Sequence, residues 1–229
     1  MKPAASPTIS TAVSTNVTAQ GFAIPETLDW HQSIVAEISG KTVLSVFSGT
    51  CALGILAAKS GARFVVNIDH DELAIATAKD FVRLSALPIR PRFIISDAFA
   101  ALRQLAGIGQ NERVRGKRMP PFPKLEARQF DLVVIDPPLY AKSPFGVVDL
   151  LADYAGVFKP ALLCTSIGGT IICTNSAANL DRAAWIAQLQ RTAAKAGRPV
   201  KSIAWLKAES ASAATAEENL PSVVMLRLE

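Results

Sequence analysis

The sequence predicts an α/β fold in which a mostly parallel sheet is doubly wound by helices. Short apolar segments that suit buried strands alternate along the chain with longer segments of helical period, which is the pattern of such a sheet. Residues 130–135 contain four consecutive large apolar residues after an acid, as is typical of a central parallel strand. Residues 41–60 form a strand that leads through small residues directly into a helix. The prediction of the fold class rests mainly on these two segments.

The other elements follow from the same two periodicities, in chain order. Helices are predicted where apolar residues recur on one helical face, and Pro160 is expected to break or restart the helix that contains it. The predicted helices are residues 28–38, 55–60, 72–84, 97–105, 147–163 and 180–196. The predicted strands are residues 41–46, 63–68, 92–95, 130–135, 169–174, 200–206 and 222–228.

Composition limits the protein to a few classes. With 229 residues, half of them hydrophobic, the chain is long enough for one large core, and we expect a single domain over residues 21–229. Residues 1–20 are rich in Ser, Thr and Ala and predict a flexible arm, with an organellar transit peptide as the alternative. Three cysteines without a secretory signal indicate reduced thiols in a cytoplasmic protein. No apolar run is long enough to span a membrane, and two distant histidines predict no metal site.

The strand at residues 130–135 runs into an Asp-Pro-Pro sequence followed by an aromatic residue. Asp136 stands at the carboxyl end of this strand, where open α/β sheets bind their ligands, and Pro137 stiffens the backbone. The Asp136 side chain and nearby carbonyls are candidate acceptors for an amino or ring nitrogen, and Tyr140 offers a face for stacking a planar base. The alternative is a rigid strand-to-loop turn without a ligand.

Two other strand ends carry small or acidic residues. After the first strand comes a small-residue turn that lets a ligand approach the backbone closely. The second strand ends in Asp69, about twenty residues further on, where nucleotide-binding α/β folds place an acid that binds a ribose. The third strand is followed by Ser96 and Asp97. Because these ends belong to successive strands, we expect them to line one crevice.

The chain resembles the class I S-adenosylmethionine (SAM)-dependent methyltransferases, in particular bacterial large-subunit ribosomal RNA methyltransferases of the 5-methylcytosine and 7-methylguanine types. The resemblance covers residues 40–229 and rests on the order and spacing of five motifs. These motifs are residues 43–48, 65–69, 96–99, 130–138 and 168–172. The resemblance implies a Rossmann-like sheet of seven strands that closes with a C-terminal antiparallel hairpin.

The resemblance also implies roles for individual residues. The turn that would hold the methionine part of the cofactor consists of Phe47, Ser48, Gly49, Thr50 and Cys51. Asp69 would bind the ribose hydroxyls, with His70 beside it at the edge of the cofactor. The adenine would lie against Asp97 and either Ala98 or Phe99. The acceptor site would be formed by Asp136, Pro137 and Tyr140.

Two positions depart from the family pattern. Cys51 stands where this fold commonly has glycine, so its side chain is expected in or near the space of the cofactor's amino-acid end. In the cytosine-modifying relatives a nucleophilic cysteine follows the fifth strand, and the nearest register places Thr174 there. Cys173, the adjacent residue, is interpreted as a buried strand thiol, because no neighbour in the sequence would activate it as a nucleophile.

The segment of residues 107–129 is polar and rich in proline, which predicts an insertion loop without regular structure. It contributes to the net charge of +5 of the chain, and its cations suit contact with RNA phosphates. The alternative is a solvated insertion without a partner. The cations named as RNA contacts are Arg113, Arg115, Lys117 and Arg118.

The predicted function is methyl transfer from SAM to a nitrogen of a nucleobase in RNA, with ribosomal RNA as the expected class. The close competitor is methylation of carbon 5 of cytosine, which requires a nucleophile at position 173 or 174. Two further hypotheses are a non-catalytic binding protein with the methyltransferase fold, which Cys51 motivates, and a small-molecule methyltransferase, for which the basic loop would be incidental.

Overall fold

The computed structural model describes residues 16–17, 23–24, 29–207 and 221–229. Apart from Asn16–Val17, the predicted flexible arm lies outside these residues. In the part of the chain that the structure describes, no helix has the length and apolar character needed to cross a membrane.

The chain alternates between strands and helices over most of its length. The strands are β1 (Asn16–Val17), β2 (Ala23–Ile24), β3 (Thr42–Val46), β4 (Phe64–Asp69), β5 (Arg92–Ile95), β6 (Arg113–Val114), β7 (Lys117–Arg118), β8 (Phe130–Ile135), β9 (Tyr140–Lys142), β10 (Val147–Asp149), β11 (Thr165–Asn175), β12 (Val200–Leu206) and β13 (Ser222–Leu228). The helices are α1 (Asp29–Ser33), α2 (Ala52–Lys59), α3 (Glu72–Leu84), α4 (Ala98–Leu105), α5 (Ala155–Leu163) and α6 (Arg182–Lys195), with a 3₁₀ turn at Val35–Glu37.

Seven strands form one sheet in the order β12-β13-β11-β8-β3-β4-β5. β13 is antiparallel to both of its neighbours, and the strands from β11 to β5 are parallel. This confirms the predicted doubly wound, mostly parallel sheet with its closing antiparallel hairpin. The order of the strands reverses between β3 and β8, and open α/β sheets bind ligands outside the carboxyl ends of the strands at such a reversal.

Alternation along the central strands builds a core on each face of the sheet. Val133 and Ile135 point to the face that α4, α5 and α6 cover. Leu132 and Val134 point to the opposite face, where they meet Trp30 and α2. Each fully buried side chain of this size stabilises the fold by about 1.5–3 kcal/mol relative to the exposed state. The two cores hold the carboxyl ends of the strands rigidly in place.

Two expectations about the segments around β8 are wrong. Residues 107–129 are not wholly irregular, because β6 and β7 form a hairpin whose turn has φ of 48° at Arg115 and 79° at Gly116, a conformation that favours two-residue hairpins. The predicted helix over residues 147–163 begins only at Ala155, since β9 pairs with β10 before it. β-branched Val147 and Val148 suit this strand.

The first and fifth helices also differ in detail from the prediction. The helix expected over residues 28–38 is split into α1 and the following 3₁₀ turn. Pro160 lies inside α5 and does not break it. The bounds of α3, β5, β12 and β13 agree with the prediction.

Candidate functional site

The turn between β3 and α2 has an unusual backbone. Phe47, Gly49 and Cys51 have φ of 58°, 49° and 60°, which is the left-handed region that residues other than glycine rarely adopt. Residues 47–50 are half-buried. A Cβ atom at Gly49 would have no heavy atom within 4 Å, so the backbone of the turn faces open space that a ligand can enter.

The Cys51 side chain lies beside the turn, with its Sγ 3.6 Å from the Gly49 carbonyl oxygen. It is completely buried and packs beneath the turn against Ile75 and Ala78 of α3. Its Sγ lies 3.4 Å from the Ser48 Oγ. Burial raises the pKa of the Cys51 thiol to about 12, although the Ser48 contact opposes this change, and the thiol is therefore neutral at physiological pH.

Backbone hydrogen bonds join the carboxyl ends of β3, β4 and β5. The Ser48 N–H donates to the Ile68 carbonyl at 3.1 Å, and the Ser96 N–H donates to the Asp69 carbonyl at 2.9 Å. The three strand ends that the sequence assigns to one crevice are thus held side by side.

Asp69 fixes the turn from the end of β4. Its Oδ2 accepts the Gly49 N–H at 2.7 Å, and its Oδ1 accepts the Asp71 N–H at 3.0 Å. The Nδ1 of the exposed His70 lies 3.4 Å from the same Oδ1. Because each carboxylate oxygen has two lone pairs, Asp69 keeps acceptor capacity for ligand hydroxyls.

Asp97 caps the helix that follows β5. Its Oδ1 accepts the N–H groups of Phe99 and Ala100 at 2.9 and 3.1 Å. Ala98 and Phe99 are buried. The turn between β9 and β10 covers the Phe99 ring so closely that a Cβ at Gly146 would lie 2.5 Å from the ring. The hairpin of β9 and β10 therefore borders the predicted adenine side of the crevice.

Asp136 stands at the reversal of strand order, next to the turn. Its N–H donates to the Val46 carbonyl at 3.2 Å, immediately before Phe47. Asp136 as a whole residue is exposed to solvent, although protein atoms closely surround its carboxyl group. Burial raises the pKa of the Asp136 carboxyl, and a hydrogen bond from the Thr174 hydroxyl to Oδ1 opposes this rise.

The residues after Asp136 present an open face. Pro137 is buried, whereas Leu139 and Tyr140 are 46% and 61% exposed. Tyr140 begins β9 and pairs with Asp149, and the Leu150 N–H donates to the Leu139 carbonyl at 3.1 Å. The backbone around Tyr140 is thus fixed while its ring remains accessible for stacking.

The other two cysteines also have buried thiols. Cys173 points to the face of β11 opposite Thr174, and burial raises the pKa of its thiol. Burial also raises the pKa of Cys164, at the end of α5, to about 12. Sequence reasoning missed Tyr154, which contacts Cys173 and donates to the Thr174 carbonyl. It also missed the bond from Thr174 to Asp136, although Thr174 lies near the end of β11 and Asp136 directly follows the adjacent parallel strand β8.

The basic segment contacts the hairpin of β9 and β10 through aromatic rings. The Phe122 ring meets the Phe145 ring edge-on, with 5.6 Å between centroids, and Phe145 lies in the turn between β9 and β10. The hairpin of β6 and β7 is exposed. Its cations are Arg113, Arg115, Lys117 and Arg118.

Two other cations of this segment serve the fold. Lys124 forms an ion pair with Glu112 at 2.6 Å and lies over the Phe122 ring. Arg128 stacks on Phe64, with 4.0 Å between the guanidinium carbon and the ring centroid. The cations of the β6–β7 hairpin are therefore the better candidates for contact with a partner.

Three comparisons with known proteins agree with this architecture. Residues 28–167 match the family described as Conserved hypothetical protein 95. Ribosomal RNA large subunit methyltransferase I of Photobacterium profundum is 29% identical over 154 residues, which are 67% of this chain and 34% of that protein. A SAM-dependent methyltransferase from Agrobacterium tumefaciens has a TM-score of 0.59 at 18% identity, over 87% of this chain and 59% of that one.

A structure with bound cofactor is also similar. Magnesium protoporphyrin IX methyltransferase from Synechocystis PCC 6803, solved with bound SAM, has a TM-score of 0.54 at 14% identity, over 86% of this chain and 77% of that one. The fold is thus that of class I SAM-dependent methyltransferases, and the chain belongs to the Conserved hypothetical protein 95 family. The chain spans about a third of the length of the ribosomal RNA methyltransferase it matches.

The residues of the crevice fit SAM. Open space above Gly49 leaves room for the methionine part, and Asp69 has lone pairs for the ribose hydroxyls. Asp97 adds a second carboxyl group at the same edge of the sheet. A sulfonium cation is stabilised by nearby negative charge, so this edge suits the cofactor electrostatically.

We expect Asp69→Ala to abolish binding of SAM and of S-adenosylhomocysteine in calorimetry. The substitution removes both the proposed ribose acceptor and the acceptor of the Gly49 N–H. The matched control is Asp71→Ala, which removes the N-cap of α3 and costs about 1 kcal/mol of stability without touching the turn. Wild-type affinity in Asp69→Ala would contradict the assignment.

We expect Cys51→Gly to keep the affinity for S-adenosylhomocysteine within about threefold of wild type, since glycine adopts positive φ without strain and the thiol packs on α3. Affinity is measured by calorimetry, and thermal unfolding reports the loss of packing. A gain in affinity of roughly tenfold, or about 1.4 kcal/mol, would show instead that the thiol obstructs the ligand.

Proposed function

We propose that the protein transfers a methyl group from SAM to a nitrogen of a nucleobase in RNA, with ribosomal RNA as the substrate class. The observation that carries this proposal is the position of Asp136. Its backbone is hydrogen-bonded to Val46, directly before the turn proposed to hold the methionine part. An acceptor bound at Asp136 would therefore lie next to the cofactor.

SAM supplies an activated methyl group, so the protein's contribution is alignment. We assign Asp136 and the Pro137 carbonyl as acceptors that orient the nitrogen, and Tyr140 as the surface on which the base stacks. The ionised carboxyl of Asp136 accepts an N–H bond and stabilises the positive charge that develops as the nitrogen lone pair displaces the methyl group from the sulfur. It then takes up the proton that the methylated nitrogen releases. The exposed ring of Tyr140 and the fixed backbone beneath it support this arrangement.

The buried thiols favour nitrogen over carbon 5 of cytosine as the acceptor. Methylation of carbon 5 through a covalent step requires a reactive thiolate, and a thiol reacts as the thiolate only where its pKa is low. Burial raises the pKa of Cys173, and its side chain points away from Asp136. Thr174 stands where the resemblance places the nucleophile, and its hydroxyl is bound to Asp136.

RNA is the proposed substrate because of charge and geometry together. The β6–β7 hairpin is exposed and basic, and the contact between Phe122 and Phe145 joins its segment to the hairpin that carries Tyr140. Single-stranded RNA is commonly recognised by stacking of bases on aromatic rings beside cationic contacts to the phosphates. The similarity to a ribosomal RNA methyltransferase supports the same class.

The position of the Cys51 side chain motivated the non-catalytic alternative and does not support it. A side chain at position 51 was expected to obstruct the cofactor, but the thiol packs against Ile75 and Ala78. The space above Gly49 is open. A turn that can bind the cofactor is therefore the better-supported interpretation.

We expect Asp136→Asn to reduce turnover by roughly 100-fold or more, which is the usual scale for losing a positioned proton acceptor. Calorimetric affinity for SAM should stay within about threefold of wild type. The assay uses radiolabelled SAM and unmodified ribosomal RNA transcribed in vitro, with mass spectrometry of the nucleosides. Unchanged turnover in Asp136→Asn, or a product methylated on carbon 5, would contradict the proposal.

Tyr140→Phe should be active and Tyr140→Ala impaired in the same assay, because stacking needs only the ring.

We expect the pair Arg115→Gln and Lys117→Gln to weaken RNA binding and to reduce the dependence of log K on log salt by roughly 1.4, the value for two lost phosphate contacts with single-stranded RNA. The control pair is Lys195→Gln and Lys201→Gln, two exposed cations at the amino ends of the strands. An unchanged slope in the first pair would rule out a role for the hairpin.

A further inference from the structure

The end of β11 lies beside Asp136. β11 and β8 are parallel, and Cys173 pairs with Ile135, so the next residues along both strands, Thr174 and Asp136, are neighbours on one face of the sheet. The Thr174 Oγ1 donates a hydrogen bond to Asp136 Oδ1. Thr174 is 1% exposed, so its hydroxyl meets the carboxylate from inside the protein.

A second buried residue fixes Thr174 itself. The Tyr154 hydroxyl donates to the Thr174 carbonyl at 2.8 Å. The Tyr154 ring is buried and packs edge-on against Trp185, with 5.2 Å between ring centroids. The backbone of Thr174 is thus held from the core that α5 and α6 form, while its hydroxyl reaches Asp136.

We propose that Thr174 is a positioning residue for the methyl transfer: it holds Asp136 through Oδ1 and thereby directs Oδ2 toward the acceptor nitrogen. This inference rests on the proposed function. A carboxylate turns easily about its terminal torsion, and a single donor on one oxygen restricts this rotation. Threonine suits the task because its branched side chain is stiff at χ1. Thr174 does not touch the substrate, and it acts through Asp136.

The hydrogen bond also favours the form of Asp136 that accepts an N–H. Burial favours the neutral carboxyl, whereas a donor on Oδ1 favours the carboxylate. Among the described residues, Tyr154 has an electrostatic interaction with this carboxyl, and burial raises the pKa of the Tyr154 hydroxyl, which is therefore uncharged at neutral pH. Loss of the Thr174 hydroxyl therefore leaves Asp136 without its donor and raises the pKa of its carboxyl.

Position 174 thus has a role other than that of a nucleophile. The resemblance places a nucleophilic cysteine there, at the end of the fifth parallel strand. Because Thr174 is 1% exposed, its hydroxyl is shielded from a bound base, but it can orient the carboxylate to which it donates. Position 174 would thus provide a nucleophile in the cytosine-modifying relatives and would orient the Asp136 carboxylate in this protein.

The test compares Thr174→Val, which keeps the shape and removes the hydroxyl, with Thr174→Ser, which restores it. Carbon-13 NMR of aspartate-labelled protein follows the Asp136 carboxyl, assigned by its loss in Asp136→Asn. We expect the titration of this carboxyl to move to higher pH in Thr174→Val and to return to the wild-type position in Thr174→Ser. Thr165→Val is the control, because it removes a buried hydroxyl bonded to the Ala161 carbonyl at the other end of the same strand.

Turnover on ribosomal RNA gives the second readout. We expect kcat to fall roughly tenfold or more in Thr174→Val, as for loss of a hydrogen bond to a charged group, with KM for SAM unchanged and the acid limb of the pH profile moved upward. Thr174→Ser should recover most of the rate. An Asp136 titration that is the same in wild type and Thr174→Val overturns the inference. A shifted titration in a protein that methylates no RNA overturns the proposed function alone.

Discussion

The hydrogen bond from the Gly49 N–H to the Asp69 carboxylate is the contact on which the crevice depends. Three residues of the turn, Phe47, Gly49 and Cys51, have positive φ, and strained residues of this kind cost about 1–3 kcal/mol each when they are not glycine. Such a turn persists only where its surroundings determine it. Asp69 accepts the Gly49 N–H at 2.7 Å and also fixes the start of α3 through Asp71. One carboxylate thus sets the shape of the turn and keeps lone pairs for a ligand.

Charge is divided between two regions of the protein. The carboxyl ends of the parallel strands carry Asp69, Asp97 and Asp136, whereas the charged residues of the exposed β6–β7 hairpin are cations, with Glu112 directly before it. A cationic sulfonium suits the first region and a polyanion suits the second. The contact between Phe122 and Phe145 joins the second region to the hairpin that carries Tyr140. In the proposed reaction, RNA phosphates would therefore be held away from the acidic crevice while one base enters it.

The sequence was sufficient for features that depend on local pattern. The amphipathic period of Glu72–Leu84 and the apolar run of Phe130–Ile135 predicted a helix and a strand that the structure contains. Other features were missed. Val147 and Val148 stand before a helix and were assigned to it, although β9 is close enough in the chain for the hairpin to be predicted, since Val147 pairs with Lys142. The direction of the Cys51 side chain follows from a φ of 60°, which the residue type does not predict.

The same distinction between local sequence pattern and distant contacts applies to the residues proposed to bind the methyl acceptor. Asp136 and Tyr140 are recognisable from the Asp-Pro-Pro sequence. Thr174, which donates to Asp136, lies on a strand further along the chain, and Tyr154, which donates to the Thr174 carbonyl, directly precedes α5. The three buried thiols remain neutral because burial raises the pKa of each, which disfavours a thiolate nucleophile in the proposed reaction. The rate of the proposed transfer then depends on how accurately Asp136 is held. The position of Asp136 is set through Thr174 by the core beneath β11. The fully buried Tyr154 therefore influences the proposed reaction at the surface.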